Sequence, residues 1–136
     1  VPKAFIRARS RYGARIVQYG YVESRPEYMK WLQRGAIVIS TATQENFGIS
    51  VVEAIRHGCL PLLPARLAYP EIIPDEFHSR VLYRDQKELV QKLSQRIKDY
   101  GQYRDLRRRL SKAMGRFSWG NLIHRYDEEL EKLVHA

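Results

Sequence analysis

The sequence predicts an α/β fold, an open and mostly parallel sheet flanked by helices. One short, unbroken apolar run, Ala36–Ser40, has the pattern of a strand buried on both faces, and Leu60–Leu63 reads as a further short strand. Helix-length segments separate the runs, which implies right-handed βαβ crossovers. A chain of 136 residues, 44% hydrophobic and 29% charged, is long enough for one packed domain and too apolar for disorder.

Ala4–Tyr12 reads as a basic helix closed by Gly13, and Arg15–Gly20 as a strand rich in β-branched and aromatic residues. Ser24-Arg-Pro-Glu27 has the form of a capping box: Ser24 takes the N-cap, Pro26 tolerates the first turn and Glu27 reaches back. Tyr28, Trp31 and Leu32 follow at i, i+3, i+4 as one apolar face, and Gly35 supplies the stop before Ala36–Ser40. Gly48–His57 reads as a helix stopped by Gly58. Leu60–Leu63 is the next strand, which Pro61 places near an edge or makes irregular. Val81–Tyr83 is a fourth strand. Asp85-Gln-Lys-Glu88 is a second capping box opening a helix to about Tyr100, and Gln102–Met114 and Ser118–Val134 complete a helical C-terminal third. The pattern begins with a helix, whereas sheets of this kind begin with a strand. The sequence is therefore expected to be a fragment of a longer protein.

Composition narrows the function classes. Lys and Arg total 24 against 15 Asp and Glu, a net charge of +9, which favours anionic partners: nucleotide, phosphate, RNA or an acidic membrane. The longest apolar stretches, such as Ala36–Ile39 and Ile49–Val52, fall far short of the roughly 18 residues of a membrane-spanning helix. No signal peptide is visible. A single cysteine, Cys59, gives no intramolecular disulfide framework and fits a cytoplasmic location. Cys59 beside Gly58 reads as a small buried hydrophobe, and His57 as a helix-end residue. His78, His124 and His135 are too scattered for a metal set, and no Asp-x-Asp is present to bridge a diphosphate through a metal. Neither metal nor cofactor is expected.

The run Ser40-Thr-Ala-Thr-Gln-Glu45-Asn-Phe-Gly48-Ile-Ser-Val-Val-Glu53 carries the chemistry. It follows a buried strand and opens a helix, where α/β sheets bind ligands. Amides of Phe47–Ser50 left unpaired at the helix start, with about half a positive charge from the macrodipole, suit a phosphate. Gly48 is expected to keep Cβ out of the anion's way. Glu53 lies five residues further in, a rise of about 7.5 Å, which is of the order separating a pyrophosphate from its ribose. As plain alternatives, Glu45 is a solvated loop acid and Glu53 an exposed helix acid, and Tyr21 is a packing aromatic.

This segment resembles the Glu-x7-Glu signature of retaining family-four glycosyltransferases of the GT-B architecture, matched by Glu45, Phe47, Gly48 and Glu53 and continued by Ala54 and Gly58. The resemblance spans nearly the whole chain, down to Phe117-Ser-Trp119 before the last helix. It implies a Rossmann-like C-terminal half of a GT-B fold lacking its first strand, with residues 1–136 forming one nucleotide-sugar-binding domain of a larger two-domain enzyme. It further implies that Glu45 approaches the donor sugar as the catalytic residue and that Glu53 holds the ribose. Asn46, Phe47, Gly48 and Ile49 would cradle the diphosphate, and Tyr21 and Val22 would border the base. Thr41 and Arg66, with Tyr69-Pro70-Glu71 after the third strand, are further residues expected at the ligand edge, the plain alternative for the latter stretch being a Pro-rich turn that starts a short helix. The family's Arg/Lys pair that neutralises the diphosphate would fall upstream of Val1, leaving the two glutamates opposed only by a helix dipole. This fragment alone is therefore expected to be inactive.

The stretches Ser40–Gly48 and Pro61–Glu71 are also similar to a narrower group, the mannosyltransferases acting on queuosine in tRNA. That likeness implies GDP-mannose as the donor substrate and tRNA as the acceptor. A glycan or lipid acceptor is the first alternative. The second is a non-enzymatic basic module binding RNA through Arg104–Arg109, Lys112 and Arg116, a run whose default reading is a solvated helix face.

Overall fold

A computed structural model describes residues 2–134, apart from the side chains of 119 and 126. The helices are α1 (Lys3–Tyr12), α2 (Arg25–Arg34), α3 (Ile49–Arg56), α4 (Tyr69–Ile72), α5 (His78–Val81), α6 (Gln86–Lys98), α7 (Arg104–Ala113) and α8 (Trp119–Val134). The strands are β1 (Ile37–Ile39), β2 (Leu60–Pro64) and β3 (Leu82–Tyr83). The strands form one parallel sheet in the order β1-β2-β3, with Ile37 opposite Leu60 and Leu63 opposite Leu82. The open, parallel, helix-flanked sheet is the architecture expected from the sequence.

Three local expectations are corrected. Arg15–Gly20 is not a strand: Gly13–Arg15 forms a 3-10 turn and the segment beyond it is irregular, with Val17 76% exposed. Strand propensity records only how well a residue fits a pleated, half-buried surface, and no described strand lies alongside to pair with this one. Second, β2 is the central strand despite Pro61 and Pro64. Leu60 donates its amide to Ala36 O, and Leu62 O accepts from Ser40 N, so the even-numbered residues bond to β1. Pro61 therefore turns its missing donor towards β3 before β3 begins, and Pro64 turns its own towards β1 after β1 has ended. Third, Val81 ends the short helix α5, so β3 is Leu82–Tyr83 alone.

Both N-caps form where the sequence places them, but among the described residues neither Glu27 nor Glu88 completes its box by accepting from the cap amide. Ser24 Oγ accepts from the Glu27 amide at 3.3 Å, and Asp85 accepts from the Glu88 amide at 2.8 Å. Glu88 reaches back one residue beyond its cap to the Arg84 amide at 2.8 Å and pairs with Lys92 at 3.0 Å. The Arg84 amide first, and then Lys92, hold the Glu88 carboxyl down at about 2. Gly35 ends α2 with an ordinary negative φ. The glycine is needed for room, since a Cβ there would stand 3.0 Å from Cys59 Sγ.

The core lies between the sheet and the pair α3 and α7. Ile55, Leu60, Leu63, Val81, Leu110 and Met114 are completely buried, and Leu106 is nearly so. Leu106 and Leu110, one turn apart, turn inward and so direct most of the α7 arginines outward. Cys59 is buried and its thiol donates to Gly35 O at 3.3 Å; burial pushes the thiol above its ordinary value. Among the described residues no helix is long and apolar enough to cross a membrane.

Candidate functional site

A cavity of about 620 Å³ opens where the N-terminal turns of α2 and α3 converge under the segment Gln18–Ser24. Tyr21 and Val22 line one wall, Trp31 and Tyr28 of α2 another, and Ile49, Ser50 and Glu53 of α3 a third. Four of the residues singled out by the sequence (Tyr21, Val22, Ile49 and Glu53) therefore share one chamber. Tyr21 is 87% exposed at the rim, so it is not a packing aromatic.

Glu53 is held by two side chains that the sequence did not mark. Arg25 Nη2 donates to its Oε1 at 2.5 Å and the Tyr28 hydroxyl donates to its Oε2 at 3.0 Å. Burial, followed by the Glu53 carboxylate, raises the Tyr28 phenol above its usual value. Arg25 keeps 64% of its side chain exposed while pairing with a carboxylate only 20% exposed. The expectation that the glutamates face an anion with only a helix dipole to offset repulsion is thus corrected at Glu53, whose charge is opposed by a guanidinium. The one available signal was positional: Ser24 caps α2, which puts Arg25 and Tyr28 in its first turn, beside the opening turns of α3.

The loop before α3 is folded on itself. Glu45 Oε1 accepts from the amides of Gly48 at 2.8 Å and Phe47 at 3.2 Å. Two of the four amides expected to be free at this end are therefore occupied, leaving Ile49 and Ser50 in the first turn of α3. Gly48 is the N-cap in the left-handed region, with φ +73, and its vacant Cβ position faces Ile72 Cδ1 at 3.0 Å and Tyr69 Cε1 at 3.2 Å. The glycine is required by the packing beneath the loop, not by the space above it.

The remaining expected residues are dispersed. Glu45 and Asn46 line a separate depression of about 510 Å³ with Thr43, Gln44 and Leu67. Phe47 packs edge-on against Phe117 at 5.8 Å, tying the loop to the segment before α8. Thr41 is exposed on the loop after β1, and Arg66 reaches over that loop to the Ala42 carbonyl at 3.3 Å. Tyr69 is buried and shares a hydrogen bond with Ser40 Oγ at 2.7 Å, while Tyr83 donates to Ser40 O at 2.7 Å. Together these bonds fix the ends of the strands under the loop. The Tyr-Pro-Glu stretch is the short helix α4, with Glu71 exposed.

An open parallel sheet with a cleft at the start of the helix after β1 is a Rossmann-like α/β arrangement, and it agrees with one half of a GT-B fold. The sequence profile described as "Glycosyl transferases group 1" matches residues 9–115, and the chain belongs to that family. Among curated relatives, the chain is 42% identical over 93 residues to the tRNA-queuosine alpha-mannosyltransferase of Drosophila melanogaster. The match covers 68% of this chain and 23% of that relative.

Proposed function

We propose that this chain is the donor-binding half of a retaining glycosyltransferase that transfers mannose from GDP-mannose to queuosine in tRNA. A second, N-terminal Rossmann-like half of the same protein would supply most of the acceptor contacts. The observation that carries the reading is the single chamber shared by Tyr21, Val22, Ile49 and Glu53. A base sits between Tyr21 and Val22, and the ribose hydroxyls donate to Glu53, which Arg25 and Tyr28 hold in place. The diphosphate lies along the loop from Asn46 to Ile49 at the positive end of α3. Glu45 orients the sugar once its carboxylate leaves its own loop amides. Stabilising the charge of the departing diphosphate is the largest contribution such a site makes. Thr41 and Arg66 border the sugar side. No metal enters the scheme, and the donor is a substrate, not a resident cofactor.

Calorimetric titration of GDP into the intact protein tests the reading. Hydrogen bonds to a charged group contribute about 1.5–3 kcal/mol each, so Glu53→Ala is expected to weaken GDP binding roughly 10- to 100-fold, with Glu53→Gln intermediate. GDP binding unchanged in Glu53→Ala would refute it.

A further inference from the structure

The geometry points to α1 as a surface for the phosphate backbone of RNA, gripped by Lys3, Arg7 and Arg11, an assignment that rests on tRNA being the acceptor. Residues 2–22 carry five of the 24 cations and none of the 15 acids, so +5 of the net +9 is gathered in this one segment. Among the described residues the charge is also without acidic partners. On α7, where the sequence suggested an RNA face, Arg108 pairs with Asp105 at 2.8 Å and Arg109 with Glu76 at 2.5 Å. Arg107 is stacked on Tyr100 at 4.6 Å and bonded to Gly58 O at 3.4 Å. Beyond the C-terminal end of α7, Arg116 is spent on the carbonyls of Glu71 and Ile72. None of Lys3, Arg7, Arg9, Arg11 or Arg15 makes an ion pair among the described residues, and no residue of α1 is buried.

Spacing turns this charge into a track. Lys3, Arg7 and Arg11 stand at i, i+4, i+8, one face of the helix over roughly 12 Å. A nucleic-acid strand presents a phosphate about every 3.4 Å of its axis, so three or four phosphates fall within reach. Arg9 lies over Tyr19 at 4.8 Å and Arg11 over Tyr12 at 5.3 Å, stacking that leaves the in-plane N–H groups free for phosphate. The chain then runs through Gln18 and Gly20 to Tyr21 at the rim of the 620 Å³ cavity. An RNA held on α1 would thus approach the mouth of that cavity along the same stretch of chain. A membrane surface fits less well, because Arg9 interrupts the Phe5–Tyr12 face that would have to enter the lipid.

The test is fluorescence anisotropy of the intact protein with an unmodified tRNA transcript across a salt series. The wild type is compared with Lys3→Gln/Arg7→Gln/Arg11→Gln and with Arg104→Gln/Lys112→Gln. Phosphatidylserine vesicles and GDP are titrated in parallel. The α1 variant is expected to bind tRNA at least about 10-fold more weakly, with the salt slope reduced by about 2–3, the contribution of three phosphates. GDP binding and the α7 variant's tRNA binding should be unchanged. An α1 variant with wild-type affinity and slope, a loss confined to the α7 variant, or capture of vesicles but not tRNA would overturn the assignment. Absence of GDP binding in the wild type would refute the donor reading while leaving the tRNA comparison intact.

Discussion

Gly48→Ala examines the hinge between strand, loop and helix on which the site depends. Two costs are legible from the structure. An L-residue at φ +73 is in the left-handed region, which costs about 1–2 kcal/mol. A Cβ 3.0 Å from Ile72 Cδ1 and 3.2 Å from Tyr69 Cε1 overpacks a buried site, which adds about 1–3 kcal/mol. The total of about 2–5 kcal/mol is a large share of the stability of an ordinary domain. With a urea slope of about 2 kcal/mol per molar, the unfolding midpoint should fall by at least about 1 M at constant slope. Adding Ile72→Val, which removes the Cδ1 atom, separates the two costs. The double variant should regain the Ile72 share of the steric cost and keep the Tyr69 contact and the backbone part, a positive coupling in a double-mutant cycle. A midpoint within about 0.3 M of wild type, or additive effects of the two substitutions, would refute the reasoning.

Two other perturbations have expected outcomes. Glu88→Gln should cost about 1–2 kcal/mol at neutral pH by weakening the bonds to the Arg84 amide and Lys92. The folded carboxyl titrates below its unfolded value, so its contribution is complete above about 4.5 and is lost as pH falls through about 2. The wild-type and Gln stability curves, measured by urea unfolding at each pH, should therefore converge in acid, and parallel curves would exclude this role for Glu88. Cys59, buried and with its thiol raised by burial, should react slowly with an aromatic disulfide reagent in the native state and completely in denaturant. Rapid stoichiometric labelling of the native protein would contradict the packing described for it.

Much of the fold is local enough to be read from the chain. β1 and β2 announce themselves as unbroken apolar runs, and Ser24 and Asp85 mark helix starts because a cap is satisfied within three residues. A strand, in contrast, exists only with a neighbour. Nothing in Arg15–Gly20 says whether one lies alongside, and Pro61 looks like an edge residue until its register against β3 is known. The same division holds at the site. The position of Glu53 follows from its spacing, but its partners come from 28 and 25 residues away, and Arg25 looks like any exposed arginine in the sequence. The inward turn of Glu45 onto the Phe47 and Gly48 amides was equally illegible, since a carboxylate just ahead of a helix suits a ligand as well as its own loop. On α7 the sequence shows the positive charges and hides the acids and carbonyls that consume them.

The strand order β1-β2-β3 leaves one margin of β1 bare among the described residues. Natural sheets usually blunt such a border with a charged side chain, a proline or a bulge, and Ile37-Val38-Ile39 has none of them. Its outward-facing amides and carbonyls form a ready template for another extended segment. In the longer protein proposed above, that margin is where a further strand would pair.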